Sequence, residues 1–540
     1  SRAGAAQAAG STSHSTQHSY KLRASENLGL SNYTGPTQIN TGVLNIRHDN
    51  ALGATAQGTT VAGGAALEVQ GSITVAEALV LNGLGAADAG ALRSRSGDNV
   101  WNGNVVLNTA RIGVDAGSTL TVNGQISGSG EFSKIGSGTL VLTAENNYAG
   151  LTRIRAGTLQ LAGGPNRLSA AGSMYVESVG TFDLNGQNQA LNQLTVAHGR
   201  VQLNDDAILT VNYGDVWANS SFTGTGRLVK TGTGNLTFGA NTATYTGGTF
   251  IEQGRLWLYY GNNKLPTTGN VTISSAGTLD LAHSNTPGTV QTIGGLFGSG
   301  TVSIGNAGSV VNFIVGNGDR PGSFSGVLRN GNGTLSLTKT GLETLELAGA
   351  STYTGGTVVG AGTLLVSNTA GSATGSGPVT VSQDAALGGT GSIGGPVSVG
   401  AGGILAPGRS VGTLYLQDGL AFAEGAFFDV DIEQLGLADL VQMDGGLLAP
   451  NGATIRVNLG FNPELGHSWT ILGGEGARDG IFDTNVAVLS GSELLGGWKR
   501  FEVGYNNSVV LTVVPEPGAV LLLACAFACG LLVRRRKQDL

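Results

Sequence analysis

A fixed offset recurs four times along the chain and restricts its fold more than any single motif does. Tyr33 precedes Gly42 by nine residues, and Tyr148, Tyr245 and Tyr353 precede Gly157, Gly254 and Gly362 by the same nine. Each glycine opens a short apolar run: Val43-Leu44-Asn45-Ile46, Thr158-Leu159-Gln160-Leu161, Arg255-Leu256-Trp257-Leu258 and Thr363-Leu364-Leu365-Val366. In three copies the agreement reaches further back. Lys134-Ile135-Gly136-Ser137-Gly138, Lys230-Thr231-Gly232-Thr233-Gly234 and Lys339-Thr340-Gly341 stand 14 or 15 residues before the tyrosine, each followed by a strand-like run such as Thr139-Leu140-Val141-Leu142. The unit therefore reads strand, turn at Tyr-Thr-Gly-Gly, strand, turn, strand. A longer period lies above it, since Tyr148 to Tyr245 is 97 residues, as is Gly180-Thr181-Phe182-Asp183-Leu184 to Gly277-Thr278-Leu279-Asp280-Leu281. The next tyrosine step, to Tyr353, is 108, so the register tolerates insertions.

Repeats of this kind, without helical periodicity, bury their apolar faces against one another. Alternation such as Leu-Xaa-Leu sends one face inward and one outward, and glycine supplies the positive φ that corners require. A right-handed parallel β-helix meets all these conditions, with coils of roughly 20 to 25 residues. Composition agrees. Glycine is 92 of 540 residues and charged residues are 12%, against usual values of about 7% and about 25%. Low charge with 40% hydrophobic residues argues against disorder, which needs the reverse.

The units, quoted as Lys339-Thr340-Gly341 through Tyr353-Thr354-Gly355-Gly356-Thr357 and Gly362-Thr363-Leu364, resemble the autotransporter-associated β-strand repeat. The resemblance implies a β-helical stalk of a secreted surface protein, with no catalysis by the repeat itself. It covers about a third of the chain and is most specific at the Tyr-Thr-Gly-Gly-Thr core. Two copies depart from that core, at Ala149 in place of Thr and Pro36 in place of the second Gly. The sequence shows no membrane β-barrel segment of the autotransporter kind at its carboxy end, so that family's secretion route is not carried over.

The end of the chain supplies an address. Pro515-Glu516-Pro517 is followed by the uncharged apolar run Gly518 to Val533 and then by Arg534-Arg535-Arg536-Lys537. A span flanked by basic residues orients with those residues in the cytoplasm, which places everything before Pro515 outside. The run has only 16 residues, whereas a membrane helix usually needs about 20, so it spans marginally and with snorkelling arginines. The triplet, span and basic cluster together resemble the PEP-CTERM sorting signal, which implies processing by an exosortase-type enzyme near Pro515, Glu516 and Pro517. At the other end, Ser1 is not an initiator and residues 1–30 contain no signal-peptide core. The expectation is that such a signal has been removed or lies upstream.

The sequence thus predicts an all-β protein: a right-handed parallel β-helix (solenoid) with a C-terminal β-rich cap and one C-terminal transmembrane helix. The segments are a flexible arm at 1–19, repeat-bearing β-helix at 20–385, terminal coils and cap at 386–513, and the sorting signal at 514–540 with its span at 518–533. The predicted function is an exported structural or adhesive protein of the cell surface or extracellular matrix, held transiently in the inner membrane by its tail. The alternatives are a carbohydrate-active β-helix (polysaccharide lyase or hydrolase) and a carbohydrate-binding module. Predicted partners are the membrane, the processing enzyme and extracellular polysaccharide.

Net charge is −7, and residues 518–540 carry +3, leaving −10 for the remainder. Dispersed basic residues on an acidic body do not suit nucleic acid, which needs clustered Lys and Arg. Cys525 and Cys529, both in the apolar tail, are the only cysteines, so the body carries no disulfide or thiolate metal site. No cofactor, metal or catalytic residue is predicted. The strongest acidic constellation, Asp429-Val430-Asp431-Ile432-Glu433, places three carboxylates on one strand face; it reads as a solvated face, with Ca²⁺ the alternative. The six histidines, His14, His18, His48, His198, His283 and His467, show no metal spacing outside the first pair, and no nucleophile elbow or phosphate loop is present. Trp257, Tyr259 and Tyr260 form an aromatic run, read as rim packing, with sugar stacking as its alternative.

Overall fold

The computed structural model describes residues 18–21, 26–28, 34–259, 261–281, 288–474 and 476–517. The transmembrane span expected at 518–533, Arg534 to Lys537, Tyr33, Tyr260, His14 and His283 lie outside the described residues. No helix among the described residues is long and apolar enough to cross a membrane. From Thr34 to Glu516, helix among those residues is confined to two 3₁₀ turns, Ala86–Asp88 and Ser492–Leu495, and the remainder is built of short strands. The chain divides into two compact units, residues 1–247 and 248–540.

The first unit is a right-handed parallel solenoid. Its strand pairs are parallel, and equivalent residues stack one coil apart: Thr119 pairs with Thr139 and Thr139 with Thr158, steps of 20 and 19 residues. The coil spends most of its length on three short strands and turns sharply between them, which is where the glycines sit. One inward column runs Leu44, Leu67, Leu92, Ile112, Lys134, Ile154, Val176, Val196, Val216 and Phe238. Every member is at most 1% exposed. Burying each aliphatic side chain contributes about 1.5–3 kcal/mol before conformational entropy is set against it. A second column, Leu120, Leu140, Leu159, Phe182, Val201 and Phe222, lines another wall.

Outward positions carry charge in registered ladders. Arg93 binds Asp115 through two nitrogens at 2.9 Å each and reaches Glu68 at 3.4 Å. Arg153 lies between Glu131 and Glu177 at 3.1 and 3.2 Å. These partners sit on adjacent coils, so in-register stacking alone brings them together, as cross-strand pairs do in any sheet.

The second unit repeats the plan and then closes it. Thr363, Ala386, Ile404, Phe427 and Thr454 form one continuous parallel column, so the ladder runs without a break across the segment boundary expected at 385/386. Another inward column runs Val315, Lys339, Val359, Val381, Val399 and Phe422. The chain turns antiparallel at its end, where Ser468–Gly473 pairs with Ser508–Pro515 and that strand with Lys499–Tyr505. Such a hairpin covers an edge that would otherwise invite pairing. Pro515 stands opposite Lys499, and the Glu516 N–H donates to Trp498 O at 2.8 Å.

Candidate functional site

The spacing of the repeat is explained by one corner. Lys134 and Lys339 occupy positions in inward columns that are otherwise apolar, and Lys134, Lys230 and Lys339 are each fully buried. Lys134 Nζ donates to Ile135 O at 2.9 Å, Gly136 O at 2.7 Å and, on the next coil, Ala156 O at 3.1 Å. Lys339 does the same with Thr340 O (2.8 Å), Gly341 O (2.7 Å) and Ala361 O (3.0 Å). Lys230 reaches Thr231 O and Gly232 O. Burial pushes Lys134 down to about 7 and Lys230 and Lys339 to about 8. The carbonyls act in the opposite sense, because only an ammonium has three hydrogens for three acceptors.

Ala156 and Ala361 immediately precede Gly157 and Gly362, so each lysine ties its coil to the repeat glycine of the next one. Those glycines are required twice over. Gly42, Gly157, Gly254 and Gly362 have φ of 77°, 65°, 70° and 60°, the left-handed region that disfavours a side chain. A Cβ on Gly157 would also collide with the carbonyl oxygens of Gly136 and Gly138. The repeat tyrosines complete the corner: Tyr148 and Tyr353 are buried, and their hydroxyls meet Thr152 and Thr357 Oγ1 at 2.5 Å. Burial raises both phenols well above their ordinary value. Tyr245 is likewise fully buried.

The acidic strand lies along a cleft of about 470 Å³ in the second unit. The cleft forms because outward positions shrink along one column, from Glu346 and Leu365 to Gly388 and Ala406. Asp429 and Asp431 share a face with Val430 and Ile432 buried behind them. The strand Phe427–Gln434 is interior, flanked by Ile404–Pro407 and Thr454–Leu459. Each carboxylate has its own donor. Arg456 clamps Asp429 at 2.6 and 2.7 Å, Asn458 Nδ2 donates to Asp431 at 2.7 Å, and Ser410 Oγ donates to Glu433 at 2.5 Å. Asp439, 2% exposed, accepts from the N–H groups of Gly412 and Asp431 at 2.8 and 2.9 Å, while burial pushes its carboxyl up to about 7. Among the described residues no group of three or more His, Cys, Asp or Glu is placed to hold a metal ion.

The three histidines whose side chains are described all engage backbone atoms. His48 Nδ1 accepts from Asn50 N–H at 3.2 Å, His467 Nδ1 from Glu464 N–H at 3.2 Å, and His198 Nδ1 faces Ala218 O at 2.5 Å. Trp257 packs edge-on against Tyr259 with ring centroids 5.7 Å apart. The sequence marked the repeat lysines but did not assign their role, since lysine is rarely fully buried; their near-constant distance from the tyrosine was the signal.

Fold and corner together define a parallel β-solenoid built on a recurring Lys-Gly-Tyr-Gly coil. The Passenger-associated-transport-repeat model matches residues 27–46, 132–161, 228–258 and 337–366, the segments that contain these corners. Over 330 residues, 56% of this chain, the sequence is 29% identical to the Adhesin BmaC autotransporter of Brucella suis biovar 1 (strain 1330). Over 137 residues, 25% of this chain, it is 30% identical to an Extracellular serine protease of Serratia marcescens. The matched stretches are 9% and 12% of those two proteins, so the chain spans a small part of the relatives it matches.

Proposed function

We propose that this chain is an exported, non-enzymatic β-solenoid of the cell surface or extracellular matrix, acting as a stalk or adhesive component. The observation that carries this reading is the passenger-type corner, repeated at Lys134, Lys230 and Lys339 within the segments the repeat model matches. Likeness to an adhesin over more than half of the chain supports it. The protease relative supports an enzyme less well. The described histidines bond to backbone groups, and the carboxylates of the acidic cleft are occupied by Arg456, Asn458 and Ser410. Routing follows the tail: Gly518 to Val533 inserts transiently in the inner membrane with Arg534, Arg535, Arg536 and Lys537 inside, and an exosortase-type enzyme cuts near Pro515-Glu516-Pro517.

Expression in a bacterium that carries such an enzyme tests the reading. The mature protein should be released from intact cells by external protease, and its intact mass should lack the tail; Glu516→Ala should leave full-length protein in the inner membrane. Protein that stays shielded from external protease would overturn the surface reading. An uncut tail with normal surface display would overturn only the sorting route.

A further inference from the structure

The outer wall of the first unit holds a trough of about 450 Å³ lined by Ser178, His198, Arg200, Gln202, Asn219, Ser221 and Thr223. It is built by stacking. Strands Arg200–Gln202 and Ser221–Thr223 pair in register, Arg200 on Ser221 and Gln202 on Thr223. Val201 and Phe222 are fully buried between these residues, so alternation turns the four polar side chains outward. His198 and Asn219 occupy equivalent corners of consecutive coils, both at φ 64°, a conformation that projects their side chains beside the strands.

We propose that this trough binds an acidic saccharide, with Arg200 receiving a sugar carboxylate. Three observations converge. First, in a chain of net charge −7, the lining holds an arginine and a histidine and no carboxylate, and Arg200 is exposed with no ion pair among the described residues. Five outward arginines of this unit, Arg93, Arg95, Arg153, Arg155 and Arg167, are paired to Glu or Asp, whereas Arg47 and Arg111 bond to an amide and a backbone carbonyl. A guanidinium left free in a recess suits a planar carboxylate, which it can hold through two parallel bonds.

Second, the remaining lining groups are hydroxyls and amides, which both donate and accept as sugar hydroxyls do. Third, an aromatic wall adjoins the trough. Trp217 is 47% exposed, and its ring meets that of His198 edge-on at 5.7 Å. Because His198 Nδ1 is held by Ala218 O, the imidazole is fixed in orientation where it lines the trough. A sugar ring laid on Trp217 would place its substituents over His198 and Arg200. The volume lies within the range of about 300–1,000 Å³ typical of small-ligand sites and admits one or two sugar residues. The proposal deepens the adhesive reading by giving it a ligand, yet binding in solution does not depend on export, so the two can fail separately.

Calorimetric titration of the full chain with tetragalacturonate in the presence of a chelator is the test, with maltotetraose, a heparin-derived tetrasaccharide and inorganic phosphate as comparisons. Tetragalacturonate should bind at least tenfold more tightly than maltotetraose. Arg200→Gln should weaken its binding about tenfold, the size of one lost charge-assisted contact, and Trp217→Ala should weaken it several-fold. Both residues are exposed, and unchanged circular dichroism of the variants excludes misfolding as the cause. Absence of uronate binding, equal binding of maltotetraose, or an affinity untouched by Arg200→Gln would each overturn the proposal. Equal or tighter binding of the sulfated saccharide or of phosphate would replace it with a general anion site.

Discussion

Lys134 and Glu77 are both buried in the first unit, at 0% and 2% exposure, and the coil receives them differently. Lys134 meets three carbonyl oxygens, two from its own turn and one from the next coil. Glu77 has one partner, Thr59 Oγ1 at 2.7 Å, which donates to Oε1, while Oε2 has none. An inward charge is therefore tolerable in a solenoid when the corner turns its carbonyls toward it, and a glycine-rich corner does so because no Cβ stands in the way. At Glu77 a single Thr59 hydroxyl supports one carboxylate oxygen and leaves the other bare, and burial pushes its carboxyl up to about 7, just as it pushes Lys134 down to about 7. The corner, more than the strands, decides what the column can hold.

The comparison breaks most severely if the corner itself is altered. Gly157→Ala forces a side chain into φ 65° and against the carbonyls of Gly136 and Gly138, so unit 1 should lose about 3 kcal/mol or more. Gly117→Ala is the control, because that glycine has φ 72° with nothing within 4 Å of a new Cβ; it should cost only about 1–2 kcal/mol. Denaturant unfolding compares the two. Equal losses would show that the carbonyl cage has no special steric demand.

Glu77 sharpens the comparison through pH. Its folded value is raised from 4.5 to about 7, so the stability linked to its neutral form is fully present below pH 4.5 and is lost as pH rises to 7. The loss is on the order of 3 kcal/mol. Glu77→Gln keeps the shape without the charge, so it should match the wild type near pH 4 and exceed it above pH 7. Hydrogen exchange across residues 59–81 as a function of pH reads the difference locally. A wild-type slope that survives the substitution would assign it to another group.

Much of this was legible in the sequence, for reasons that particular residues make plain. The nine-residue step from Tyr148 to Gly157 predicted a corner because few side chains other than none at all fit φ 65°, and alternation in Thr139-Leu140-Val141-Leu142 predicted which residues face inward. The buried Lys134 was visible only as a near-constant spacing. Its partners are backbone carbonyls, which leave no trace in composition, and one of them is supplied 22 residues later. The trough around Arg200 was not visible at all, since it depends on pairing Arg200 with Ser221 across a coil and on the absence of a carboxylate nearby. The acidic strand shows the converse: three alternating carboxylates read as a solvated face, with Ca²⁺ as the alternative, and the next coil placed Arg456 and Asn458 against two of them.

The smallest expected effect is the most informative about the comparison. Lys134→Met keeps most of the length and the apolar stem while removing the ammonium, so it largely fills the column and leaves three carbonyls facing a methyl group. Two opposing contributions follow: relief from burying a charge, which favours the variant, and loss of partners for buried acceptors, which costs about 1–3 kcal/mol. Lys134 is 0% exposed and its Ala156 contact joins two coils, so the second contribution should prevail, and the variant should be destabilised by about 1–2 kcal/mol. Exchange should rise first at the amides around Ala156 and Gly157. If Lys134→Met were neutral or stabilising, the lysine would be a tolerated charge, and the constant spacing of Lys134 and Lys339 before their tyrosines would need a cause outside stability, such as the order in which coils add during folding.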